Sequence, residues 1–414
     1  MFLKTRNRFT KASFLALSLI IFSSVVNADL FAGITAYQAK NYKTALEEWE
    51  PLADQGNAGA QYLLGVMYGN GQGVVQDNKQ AVKWYTLAAD QGSADAQYNL
   101  GLMYYNGRGV VQDDKQAIKW STLAAEQGHT KAQYNLGVMY DNGLGVVQDD
   151  KQAVEWYTLA AEQEHADAQY NLGLMYDNGR GVVKNYKQAA KWYTLAAEQG
   201  DADAPYNLGY MYTNGEGVIQ DNKQAVKWFT LAAERGNLVA QLRIGLMYRN
   251  GEGVTQDNKQ AARWYTLAAK QENARAQYSL GVMYKNGEGV VQDYKQAIKW
   301  YTLAAEQGDA RAQNNLGYMY DDGQGVVQDY KQAVKWYTLA AEQGNSSAQY
   351  NLGLVYKNGE GVTQDYITAH MWANIAASNG EPSELREKIT KDMTPQQIGK
   401  AQLKAGEWVK NHSD

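Results

Sequence analysis

The sequence predicts an all-α solenoid of tandem 36-residue helix–turn–helix units, and three observations carry that expectation. Leu64-Gly65 recurs as Leu-Gly at 100, 136, 172, 208, 280, 316 and 352, with Ile244-Gly245 in register, so every interval is 36 residues. Tryptophan falls at 84, 120, 156, 192, 228, 264, 300, 336 and 372 on the same period, with Trp49 one residue out of step before them. Between these marks lie two apolar-periodic segments and a Gly-rich turn. Each such pair leaves a face that only its neighbour can bury.

Residues 1–28 read as a cleaved secretory signal: Lys4, Arg6, Arg8 and Lys11, an apolar stretch over 12–22, and a small residue at Ala28. The apolar stretch is short against the ~20 residues of a spanning helix, so no integral membrane segment is expected after cleavage. An exported product, periplasmic or secreted, follows. Removing those four cations takes the net charge from -5 to -9. A chain of that sign does not attract nucleic acid at long range, and no Lys/Arg block holds it to anionic lipid.

Residues 29–56 form the expected N-terminal capping helix pair. Gly33-Ile34-Thr35-Ala36-Tyr37 imitates the Leu-Gly-x-Met-Tyr segment, but the glycine loop is missing, which suits a terminal unit with one face toward water. Nine repeats then occupy 57–380. In the unit from Ser93 to Gly128, Ser93 stands where an N-cap belongs, and Asn57, His129, His165, Asp201, Asn237, Asn273, Asp309 and Asn345 hold the same place. Helix A runs to about Asn106 with Ala96, Leu100, Met103 and Tyr104 on one apolar stripe. Ala96 and the Leu-Gly glycine permit close approach of a neighbouring helix.

The turn from Asn106 to Asp113 ends helix A with a glycine able to take positive φ. Asp77 with Gln80 approximates a capping box at the start of helix B, whose inner face is expected to be Trp84, Leu87, Ala88 and Ala89 and whose end is expected at Gly92. That terminal glycine is Glu164 and Glu272 in two units, where a left-handed cap costs roughly 1 kcal/mol. Residues 381–414 form C-terminal capping helices: Thr394-Pro395-Gln396-Gln397 is a capping box, and Ile398, Ala401, Ala405 and Trp408 mark one apolar face.

Composition agrees with repetition: 45% hydrophobic and 20% charged residues, with Gly 40 and Tyr 31 but Pro 4 in 414. The absence of cysteine excludes disulfides, Cys-ligated zinc, iron–sulfur clusters and a thiol nucleophile. No cofactor is expected, because the Gly-x-Gly loops lack both the Rossmann continuation and the P-loop Lys-Ser/Thr. His129 and His165 sit in equivalent caps one repeat apart, but no further His or Cys completes a metal site.

Ala96, Leu100-Gly101, Met103-Tyr104, Gly107-x-Gly109-Val110, Asp113 and Trp120 through Ala124-Ala125 resemble the Sel1-like repeat, a relative of the tetratricopeptide repeat. The resemblance covers 42–380. It implies a right-handed superhelix whose A helices line a concave surface and whose B helices lie outside, acting as an adaptor for other proteins. Some relatives are labelled β-lactamase-like, which implies an envelope enzyme as the alternative; those carry paired cysteines, and this chain has neither cysteine nor a Ser-x-x-Lys nucleophile motif.

One ladder points to binding. Asn99, Asn135, Asn171, Asn207, Asn315 and Asn351 lie one residue before the Leu of Leu-Gly, off the core stripe, with Arg243 and Ser279 interrupting the row. A carboxamide bonds a peptide in both senses, so these eight positions are the candidate peptide-binding groove for a protein or peptide partner, envelope components included. A hydrogen bond to the neighbouring repeat is the competing role for the same asparagines. The unit from Asn237 to Glu272 carries five cations (Arg243, Arg249, Lys259, Arg263, Lys270) against three acids, so an acidic ligand segment fits there.

Overall fold

A computed structural model describes residues 24–412 as twenty-two helices with no strand among them. The signal expected over 1–28 therefore lies mostly outside the described residues. The chain forms two compact units, one ending at Lys184 and one beginning at Asn185. In the first unit, α1 (Ser24–Gln38) and α2 (Tyr42–Asp54) precede the pairs α3 (Ala58–Asn70) with α4 (Asn78–Asp90), α5 (Ala94–Asn106) with α6 (Asp114–Glu126) and α7 (Thr130–Asn142) with α8 (Asp150–Glu162), followed by α9 (Ala166–Asn178).

The second unit opens with α10 (Tyr186–Glu198) and continues with α11 (Ala204–Asn214), α12 (Asn222–Glu234), α13 (Leu238–Asn250), α14 (Asn258–Lys270), α15 (Ala274–Asn286), α16 (Tyr294–Glu306), α17 (Ala310–Asp322), α18 (Tyr330–Glu342), α19 (Ser346–Asn358) and α20 (Tyr366–Ser378). Helices α21 (Glu384–Thr390) and α22 (Pro395–Asn411) close it. This is the all-α solenoid the period predicts.

Local chemistry sets the boundaries. Helix A of the second repeat starts at Ser93, whose hydroxyl accepts from the Ala96 amide, and ends at Gly107 with φ 64°. Helix B stops earlier than expected: α4 ends at Asp90, Gln91 caps it, and Gly92 turns the chain at φ 89°. Glu164 and Glu272 adopt that same left-handed turn, at φ 63° and 62°. The capping box expected at Asp77 does not form. The Asp77 carboxylate accepts from the Lys79 and Gln80 amides, but its own N–H is already given to the Tyr68 carbonyl, leaving Gln80 nothing to cap. The box at Thr394 and Gln397 is complete.

The inner face of helix B differs from expectation. In α4 it is Ala81, Tyr85, Ala88 and Ala89, whereas Leu87 is 40% exposed. Gly65 explains the choice, since a Cβ there would lie 2.5 Å from the Tyr85 ring. The Leu-Gly glycine is thus a socket for an aromatic of the paired helix. Trp49 fills the same socket over Gly33, which is why it falls one residue out of step with the tryptophans: it stands in register with Tyr85. Two repeats lack the aromatic: Ser121 stands over Gly101 in the second, and in the last the position is Ala373, where Leu385 of α21 would lie 3.2 Å from a Cβ at Gly353.

A buried glutamine runs through the core. Gln97 donates to the Ala89 carbonyl at the end of the preceding helix B and accepts from Gln127 at the end of its own. Gln61, Gln133, Gln277 and Gln313 repeat both bonds. Each of these carbonyls also accepts from the amide of the turn that follows, as Ala89 does from Gly92, so the glutamine fills the second acceptor site of a helix-terminal carbonyl. At the fifth repeat the residue is Pro205. Pro205 lacks the N–H that Gln97 gives to the Ser93 carbonyl, so the first turn does not close at Asp201; α11 begins at Ala204, and Asp201, expected as the N-cap, instead receives the Asp203 and Ala204 amides ahead of the helix. Arg235, in the place of Gln127, donates to the Ala197 and Asp201 carbonyls and so supplies the donor that Pro205 removed.

Candidate functional site

The eight positions singled out by sequence are all half-buried, on the flank of the Ala-Leu-Met stripe of helix A. In the first unit Asn99 lies against the hydroxyls of Tyr62 and Tyr85, Asn135 against Tyr98, and Asn171 against Tyr134 and Tyr157. Burial pushes the Tyr62 phenol up to about 12, and the adjacent Asn99 amide offsets part of that rise. A carboxamide carries two donor hydrogens and an acceptor oxygen, so contact with one or two phenol hydroxyls leaves hydrogen-bonding groups for a ligand. The tyrosine that precedes each asparagine shares the 36-residue period, a signal the sequence reading did not use.

In the second unit the row is less uniform. Asn207 is half-buried on α11. Asn315 stands near the Tyr301 hydroxyl, which has no well-formed partner. Asn351 donates to Asn314 at 3.1 Å, because Asn314 takes the place of the tyrosine. Ser279 turns its hydroxyl back to the Arg275 carbonyl. Arg243 pairs with Glu252 at 3.2 Å and Arg249 with Glu288 at 3.0 Å. The cations expected to attract an acidic ligand to this face are therefore neutralised where they lie on helix A; Lys259, Arg263 and Lys270 lie on α14 instead.

His129 and His165 act as N-caps. Their Nδ1 atoms accept from Ala132 and Ala168, and their rings stack on Tyr98 and Tyr134 at 4.6 Å. Accepting at Nδ1 requires the Nε2–H tautomer. Burial holds the His165 imidazole below the ordinary histidine value.

Nine consecutive segments, 58–93, 94–129, 130–165, 166–201, 202–237, 238–273, 274–309, 310–345 and 346–381, match the Sel1 repeat. The chain belongs to the Sel1 repeat family. A protective antigen of uropathogenic Escherichia coli strains with an SLR fold is 37% identical, aligned over 94% of this chain and 92% of its own, at TM-score 0.67. A Sel1 repeat protein from Oxalobacter formigenes is 34% identical over 75% of this chain and 90% of its own, at TM-score 0.57. No curated protein matches the chain. The Sel1 repeat is a tetratricopeptide-like protein-interaction scaffold, and the helix A glycine sockets for B-helix aromatics and the buried glutamines described above are how this member keeps its helix pairs stacked.

Proposed function

We propose that this Sel1 repeat protein is an exported, non-enzymatic scaffold that holds an extended peptide or protein segment, from the cell envelope or beyond it, against the A-helix face. One observation carries the reading: half-buried carboxamides at Asn99, Asn135 and Asn171 recur every 36 residues with hydrogen-bonding capacity left over. A peptide backbone offers a donor and an acceptor at each residue, so such a row can hold it without reading its side chains. Export is supported by the basic, then apolar, then small-residue pattern of 1–28, and is consistent with an antigen among the relatives.

The test compares the native chain with Asn99→Ala/Asn135→Ala/Asn171→Ala in binding a library of extended peptides, both proteins having matching circular dichroism. Binding weakened at least fivefold in the variant supports the groove. Equal binding assigns the asparagines to interhelical contacts alone. N-terminal sequencing of protein recovered outside the cytoplasm should begin at Asp29.

A further inference from the structure

The B helices carry a charge pattern that helix stability does not account for. In the second unit, each of α10, α12, α14, α16 and α18 places two exposed cations four residues apart near its N-terminus, as in Lys223 with Lys227, Lys295 with Lys299 and Lys331 with Lys335. Like charges at this spacing repel, and cations oppose the positive end of the helix dipole, so both local preferences run against the pattern. From N-cap to seventh position the five helices hold ten cations against four aspartates. The corresponding stretches of α4, α6 and α8 hold five cations against six acids, Glu155 replacing the second lysine. The next repeat's loop packs its second glycine on the N-terminus of each of the five second-unit helices, and Glu216, Glu252, Glu288 and Glu360 before those glycines bring the acids to eight. Glu252 and Glu288 are held by Arg243 and Arg249, so the ten cations still outnumber the acids on this B-helix edge.

None of the ten forms an ion pair among the described residues. Several rest over the neighbouring indole instead: Lys299 is 5.4 Å from the centroid of Trp300, and Lys335 is 5.1 Å from that of Trp336. The acids at the far ends of these helices, such as Glu342, lie about 16 Å from Lys331 at 1.5 Å per residue. That exceeds the ~8 Å screening length at physiological ionic strength, so they do not cancel the edge.

Beside the cations stand aliphatic side chains with no packing role. In each Val-Val turn the first residue packs inward, as Val254 and Val290 do, while the second faces water: Ile219, Val291 and Val327 are 89%, 88% and 89% exposed. Single exposed valines need no explanation, but a row two residues before the N-caps of α12, α16 and α18, interrupted by Thr255 before α14 and continued in the first unit by Val75, Val111 and Val147, marks a surface.

We propose that this edge of the second unit docks an acidic polypeptide segment that also bears aliphatic side chains. Charge complementarity selects the acid, and the Ile219, Val291 and Val327 row favours a polypeptide over a polysaccharide or phosphate polymer, which has no aliphatic groups to cover it. The surface belongs to the B helices, so it stands or falls separately from the A-helix groove.

The test titrates the full chain into a fluorescein-labelled 18-residue peptide of repeating Glu-Glu-Val and follows anisotropy at low and physiological salt. Binding that weakens with salt is expected, with at least a tenfold loss in Lys223→Glu/Lys227→Glu/Lys295→Glu/Lys299→Glu and less than twofold in Lys79→Glu/Lys115→Glu. An Ile219→Ser/Val291→Ser/Val327→Ser variant should lose at least threefold. Lys→Gln versions of the four charge changes guard against a folding defect. The proposal is overturned if the peptide does not bind, if the four-site variant binds it equally, or if the chain sediments with phosphatidylglycerol vesicles or binds dextran sulfate while ignoring the peptide.

Discussion

Replacing Arg235 with Gln isolates the repair at the fifth repeat. The guanidinium donates to the Ala197 carbonyl at 3.1 Å and to that of Asp201. Glutamine at 235 would find no glutamine to meet, because position 205 is proline, and would keep only the bond to the carbonyl four residues earlier that Gln91 and Gln127 make, leaving the Ala197 and Asp201 carbonyls without a side-chain donor. Hydrogen bonds from a charged donor contribute roughly 1.5–3 kcal/mol each. Ala197 keeps its bond from the Gly200 amide, so its share falls at the low end. The expected cost of Arg235→Gln is therefore about 2–3 kcal/mol, concentrated at the α10–α11 joint.

The companion variant Pro205→Gln/Arg235→Gln rebuilds the ladder that Gln97 and Gln127 form three repeats earlier. It should recover most of that loss, a coupling of about 1–3 kcal/mol in the double-mutant cycle. Amide hydrogen exchange across α10 and α11, with urea unfolding alongside, reads both, since repeat proteins open locally. A single-variant cost under about 0.5 kcal/mol, or a double variant no more stable than Arg235→Gln, refutes the compensation.

Four further outcomes are expected. Gly65→Ala should cost about 1–3 kcal/mol by thermal unfolding, because the new methyl meets the Tyr85 ring, while Gly399→Ala, with open space around it, should stabilise by roughly 0.5–1 kcal/mol. Glu164→Gly and Glu272→Gly should each gain about 0.5–1 kcal/mol in urea unfolding by relieving the left-handed backbone. Burial lowers the His165 and His370 values, so the unfolded chain takes up these protons first: stability is full above the unfolded value of about 6.5 and falls as pH drops toward the depressed folded values. Denaturation curves between pH 7 and 5 should show that fall, and His165→Asn, the cap used at Asn57 and Asn237, should flatten it. Deleting residues 93–128 in register should leave a folded, less stable chain by circular dichroism; global collapse would contradict the repeat logic.

The sequence by itself determined the period, the helix pairs, the caps at Ser93 and Thr394 and the left-handed turns at Glu164 and Glu272. Each follows from local chemistry repeated at fixed spacing: apolar stripes, side-chain oxygens before free amides, and glycine after the last helical carbonyl. Tertiary structure decided what those patterns are for. Leu87 and Tyr85 are two residues apart and both apolar, and only the facing Gly65 determines which one is buried. Gln97 reads as a polar helix residue until the Ala89 carbonyl and Gln127 converge on it. Whether Asn99 faces tyrosines or water, and whether Arg243 is free or held by Glu252, depends on the neighbouring repeat and loop. The division is physical: secondary structure is set within a few residues, whereas the polar partners are placed by how segments fold back on one another, from nine residues apart for Arg243 and Glu252 to 30 and 37 for Gln97 with Gln127 and Asn351 with Asn314, which no local pattern names.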